Sequence, residues 1–129
     1  MGKLLFSLLL AAGMACQYSN VTAQSKISPA AFETKLQQDS TVQLIDVRTP
    51  EEYAAGHIAG SVNMNIYDDD FAAQFGKLDK NRPVLVYCAK GGRSADAAEQ
   101  IAKAGYPQVF DLSGGFIAWK DADKPVTKN

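Results

Sequence analysis

Five consecutive residues, Pro83-Val-Leu-Val-Tyr87, offer only one polar side-chain group, a tyrosine hydroxyl, and a glycine-rich turn follows at once. A strand that is apolar on both faces must be covered on both, as an inner strand of a parallel sheet is when helices lie above and below it. The flanking segments repeat the alternation. Val42–Val47, Ser61–Met64 and Val109–Leu112 read as further strands. Ser28-Pro29 supplies an N-cap and an N1 proline for a helix running to about Gln38, with Ile27 and Phe32 at hydrophobic-staple positions. Thr49-Pro50-Glu51-Glu52 is a capping box that opens a short helix ending near Gly56. Asp68–Phe75 and Ser94–Lys103 read as helices closed by Gly76 and Gly105, and Gly114-Gly115 turns into a last one. Strands separated by helices predict an α/β fold with three α/β/α layers around a mostly parallel sheet.

The first 24 residues stand outside this pattern. Lys3 precedes an apolar run, Leu4–Ala15, interrupted only by Ser7. Such a run falls short of the roughly 20 residues needed to cross a bilayer, so residues 1–24 are expected to be a removable export leader. Val21-Thr22-Ala23 suits a signal peptidase, which would release a chain beginning at Gln24. Gly13-Met14-Ala15-Cys16 resembles a lipoprotein box, in which Cys16 would carry a lipid and anchor the chain to a membrane. Either way residues 25–129 form one domain, expected in the bacterial periplasm. Removal of Lys3 leaves 12 basic residues against 14 acidic ones. That balance argues against a partner held by phosphate contacts, so no nucleic acid is expected. Of the two cysteines, only Cys88 belongs to the body of the domain, and no internal disulfide can form there.

In an open α/β sheet, ligands bind beyond the carboxyl ends of the strands. Cys88 lies at that point, opening the loop Cys88-Ala89-Lys90-Gly91-Gly92-Arg93-Ser94. Two adjacent glycines let the backbone turn its N–H groups inward, and the following helix adds the positive end of its dipole. Lys90 and Arg93 add full charges. All of these favour thiolate over thiol, so Cys88 is expected to titrate below the free value of about 8.5 and to act as a nucleophile. A buried, inert cysteine would suit an apolar loop, which this is not. The loop lacks the Gly-Lys-Ser/Thr ending of a nucleotide-phosphate loop and the second cysteine of a thioredoxin-like site.

Four segments together resemble the rhodanese domain in its single-domain thiosulfate sulfurtransferase form. They are Leu44-Ile-Asp-Val-Arg-Thr-Pro-Glu-Glu-Tyr53, Gly56-His-Ile-Ala-Gly60, Tyr87-Cys-Ala-Lys-Gly-Gly-Arg-Ser94 and Leu112-Ser-Gly-Gly-Phe-Ile-Ala-Trp119. The resemblance spans about Ile27–Lys120 and implies a five-stranded parallel sheet between helices. It also implies a sulfane sulfur carried as a persulfide on Cys88, with the loop Ala89–Ser94 binding the substrate. The expected partners are a small sulfur anion as donor and a thiol or cyanide as acceptor, with no cofactor and no metal. Ser61 stands where the family often has Ala. Arg93 follows Cys88 after four residues, whereas the cysteine phosphatases and arsenate reductases of this fold use a Cys-x5-Arg loop sized for a tetrahedral anion. A non-catalytic interaction module is the other reading, though such modules usually lack the loop cysteine or its glycines.

Other residues draw structural expectations. His57 belongs to the Gly-His-Ile segment that is structural in the family. Asp46 and Arg48 are expected to form a salt bridge, and Asp68-Asp69-Asp70 to cap a helix rather than hold a metal. Phe116 and Trp119 are expected in the core, and Lys77, Lys80 and Arg82 in a solvated turn.

Overall fold

The computed structural model describes residues 24–129. Residues 1–23, with Cys16 and the residues of both expected processing signals, lie outside the described residues. Ten elements alternate: β1 Gln24–Ile27, α1 Pro29–Gln38, β2 Gln43–Asp46, α2 Pro50–Ala55, β3 Val62–Asn63, α3 Phe71–Phe75, β4 Val84–Tyr87, α4 Gly92–Lys103, β5 Val109–Leu112 and α5 Gly115–Asp121. All strand pairs are parallel, in the order β1-β5-β4-β2-β3.

The central strand is β4, and all four of its residues are buried. Period-2 alternation divides its side chains between two cores. Val84 and Val86 join Ile45, Phe71, Phe75, Ala97, Ile101 and Val109 beneath α3 and α4. Leu85 and Tyr87 join Phe32, Leu44, Ile58, Leu112, Phe116 and Trp119 on the opposite side. The same parity carries Cys88 to the α4 side, where it is 1% exposed. Helix α4 meets the sheet through Ser94, Ala97, Ala98 and Ile101, the i, i+3, i+4, i+7 stripe of an amphipathic helix.

Helix starts follow their capping chemistry. Ser28 accepts from Ala31 N–H at 3.1 Å, and Thr49 and Glu52 complete the capping box. Three elements differ from the sequence expectation. β1 was not recognised as a strand: it is four residues long, half of them exposed, and lies at a sheet edge against β5. Its first residue, Gln24, is the last residue assigned to the leader. α4 begins at Gly92, two residues before the expected start. The aspartates 68–70 do not cap α3: Asp70 makes no cap hydrogen bond, and α3 starts only at Phe71. Gln74 Nε2 instead donates to Asp68 and Asp70, at 3.0 and 2.8 Å, and no metal-ligating cluster occurs among the described residues.

Candidate active site

From β2 the chain moves outward to β3, then returns to the other side of β2 for β4 and moves outward again to β5. The sheet therefore reverses direction between β2 and β4, and a crevice opens beyond their carboxyl ends. The turns leaving these two strands form its walls.

The turn after β4 holds the sulfur. Gly91 adopts φ +113°, a left-handed conformation open to glycine, and its N–H donates to Cys88 Sγ at 3.0 Å. The Cys88 thiol donates to Ser94 Oγ at 3.3 Å, and the Ser94 hydroxyl donates to Gly91 O at 3.3 Å. Sulfur, hydroxyl and loop backbone thus close a small ring at the N-terminus of α4. Lys90 is exposed and has no ion-pair partner among the described residues. Gly92 is exposed at the first turn of α4, and Ala89 is half-buried on the other flank.

Arg93 has a partner. Its Nη1 and Nη2 donate to the two carboxylate oxygens of Glu52 at 2.7 and 3.0 Å, tying α4 to α2 across the crevice. Hydrogen bonding from Arg93 holds the Glu52 carboxyl down at about 2, against burial that opposes it. With Arg93 paired to Glu52, Lys90 is the loop cation without an ion-pair partner among the described residues.

A support for the loop comes from the last helix, to which the sequence assigned only a core role. The first amides of α5 reach under the loop: Phe116 N–H donates to Cys88 O at 2.8 Å and Ile117 N–H to Ala89 O at 3.0 Å. This approach requires Gly115, whose φ is +63° and where a Cβ would lie 2.6 Å from backbone atoms of Cys88 and Ala89. Doubled glycine ahead of an aromatic helix was the available signal, since glycine permits such contact.

The turn after β2 is closed by its own side chains. Asp46 accepts from Arg48 N–H and Nε at 3.0 Å each and from Nη2 at 2.7 Å, and Arg48 Nη2 also donates to Gly56 O. This pair is buried, as a structural salt bridge, and Arg48 stacks over Phe116 at 4.3 Å. A cleft of about 280 Å³ adjoins the loop at Ala89, bounded by Arg48, Glu52, Gly56, Phe116 and Lys120. His57 is held elsewhere. It stacks on Tyr53 at 3.7 Å, and its ring nitrogens meet Tyr53 O and Asn129 O at 2.8 and 2.7 Å. It serves the fold, as do the buried Phe116 and Trp119.

The model of the Rhodanese-like domain matches residues 28–122. The chain is 34% identical over 89 residues to a thiosulfate sulfurtransferase GlpE of Shewanella oneidensis, covering 69% of this chain and 86% of that protein. It is 30% identical over 102 residues to a sulfurtransferase of Allochromatium vinosum, covering 79% and 94%. Among solved structures, a rhodanese-related protein from Thermoplasma volcanium superposes with a TM-score of 0.72 at 29% identity, covering 81% of this chain and 98% of that one. A strand order that reverses beside a cysteine loop, and a family match spanning four of the five strands and the loop, agree: the chain belongs to the rhodanese-like family of sulfurtransferase-related domains.

Proposed function

We propose that the protein is an exported sulfurtransferase that moves sulfane sulfur through a persulfide on Cys88. The observation that carries this reading is the closed ring at the sulfur, in which one backbone N–H reaches Sγ at 3.0 Å within a Cys-x4-Arg loop. The Cys88 thiolate attacks the outer sulfur of thiosulfate or a similar donor. The S–S bond to Cys88 forms as the donor's own S–S bond breaks, and sulfite leaves with the bonding electron pair. The loop amide, the α4 dipole and Lys90 stabilise the terminal anion of the persulfide. Cyanide or a thiolate then takes the outer sulfur, leaving as thiocyanate or a persulfide, and Cys88 returns to thiolate. Two half-reactions through one covalent intermediate give ping-pong kinetics.

Two features favour sulfur over phosphoryl chemistry. The loop is one residue shorter than the Cys-x5-Arg cradle, and its arginine is paired with Glu52. Retention of Cys88 and both loop glycines favours catalysis over a docking role. The leader supports a periplasmic location, free or lipid-anchored through Cys16. The decisive experiment pairs thiosulfate:cyanide transfer and p-nitrophenyl phosphate hydrolysis on one preparation, with intact-mass spectrometry after thiosulfate treatment. A gain of one sulfur on the wild type, absent in Cys88→Ser, is expected. An unmodified wild type, or phosphatase turnover without sulfur transfer, overturns the reading. The mass of the mature N-terminus separates cleavage before Gln24 from lipidation at Cys16.

A further inference from the structure

The loop is not the only polar group buried beneath α4. Asp111 of β5 has the same parity as Val109, so its side chain enters the α4-side core, as Cys88 does. In the sheet register Asp111 pairs with Val86, two residues before Cys88 on the neighbouring strand. That places the two side chains diagonally on one face, about 8 Å apart at their backbones. Asp111 is 3% exposed, and neither carboxylate oxygen has a hydrogen-bond partner among the described residues. Native structures seldom leave such a group unpaired without a role for it.

The groups facing Asp111 can be named element by element. From β1, its register partner Lys26 and the unpartnered amide oxygen of Gln24 stand at the rim of a cavity of about 210 Å³. From α4 come the Ser94 hydroxyl and the apolar Ala95 and Ala98, and from β4 the apolar Val86. Burial pushes the Asp111 carboxyl up, while the Ser94 hydroxyl, near enough to favour the carboxylate but outside ordinary hydrogen-bond geometry, and the charge of Lys26 hold it partway down. Ser94, fully buried on the sheet-facing side of α4 and one residue before Ala95 of the Asp111 cavity, therefore stands between two acids, bonded to Cys88 on one side and facing Asp111 on the other.

We propose that Asp111 is a positioning residue that acts on Cys88 through Ser94, by competing with the sulfur for the one proton of the Ser94 hydroxyl. A serine hydroxyl has a single proton to donate. When Cys88 is a thiol, that proton goes to Gly91 O while Ser94 Oγ accepts from the sulfur. When Cys88 is an anion, Ser94 can reverse and donate to it. An ionised Asp111 draws the same proton the other way and weakens the cradle, whereas a protonated Asp111 leaves it to the sulfur. The restraint suits a carrier: a sulfur anion bound too firmly is a poor nucleophile and releases its cargo slowly.

This inference rests on Cys88 being the working sulfur, and its test does not require sulfur transfer. The rate of iodoacetamide alkylation at Cys88 is followed by peptide mass spectrometry on the full chain from pH 5 to 9. Asp111→Asn, and Asp111→Ser as a second uncharged variant should the first fail to fold, are expected to react about three- to tenfold faster near pH 7. Their inflection should fall by about half to one pH unit. In a Ser94→Ala background the effect of Asp111→Asn should shrink below about twofold, the signature of coupling through that hydroxyl. Unchanged or slower alkylation in both variants overturns the proposal. So does an equal acceleration without Ser94, which would mean a charge acting through space.

Discussion

The turns that leave β2 and β4 occupy equivalent places on either side of the crevice, yet only one of them presents a reactive atom. After β2, the Asp46 carboxylate folds back onto Arg48, and Asn63 Nδ2 donates to the carbonyls of Asp46 and Arg48 at 3.1 and 2.9 Å. Its own side chains and Asn63 of β3 satisfy that turn, so its polar groups are spent on the fold. After β4 one donor is left over for the sulfur. The supports come from outside, as α5 amides on loop carbonyls and an Arg93–Glu52 clasp at the rim, while the Gly91 N–H points at the sulfur. Both turns are held by other elements; the one that becomes a site is the one whose own backbone donor is left facing inward.

The largest break in this comparison is Cys88→Ser, which should abolish thiosulfate-dependent sulfur loading and cyanide turnover while leaving the thermal midpoint nearly unchanged. The β2 turn should answer in the opposite currency. Asp46→Ala leaves the Arg48 guanidinium buried without its partner and should cost about 3–5 kcal/mol in urea unfolding. Gly115→Ala falls between the two. A left-handed φ and a backbone clash should remove at least about 2 kcal/mol of stability and lower kcat at least tenfold, because the loop must shift away from α5. Lys90→Ala should raise KM for thiosulfate several-fold with little change in kcat, and raising ionic strength should diminish the difference. Those outcomes would place an anion at the β4 turn alone.

The smallest effect is a dependence on acid. Glu52 titrates at about 2 in the fold against an ordinary 4.5, so its contribution is complete above pH 4.5 and disappears as the pH falls from there towards 2. Because the pair is a quarter to a third exposed, solvent screening limits it to about 1 kcal/mol. Thermal melts of wild type and Glu52→Gln should therefore differ by a few degrees at pH 6 and converge near pH 2.5.

Much of this arrangement was legible in the residues. Capping chemistry located α1 and α2, the all-apolar run identified the central strand, and the Cys–Gly–Gly spacing marked the loop. What escaped the reading depends on contacts distant in the chain. β1 is a short, half-exposed edge strand whose hydrogen-bonding partner is β5, some 85 residues later. Local acidity at residues 68–70 resembled a cap, but a cap needs a particular backbone geometry, and Gln74 draws those carboxylates elsewhere. Arg93 looked like a ligand-binding cation because Glu52 lies 41 positions away in the chain. The work of Gly115 was hidden for the same reason: its neighbour is Ala89, not the next residue.

The near-complete burial of Cys88 bears on how a partner could tell a loaded carrier from an empty one. An empty site offers almost no sulfur surface, the residue being 1% exposed. A persulfide sets a second sulfur about 2 Å beyond Sγ, the length of one S–S bond. On the proposed persulfide chemistry, that single atom would be the signal of occupancy. An acceptor that probes the mouth of the crevice reads cargo and address in the same contact, and an unloaded molecule gives it little to hold.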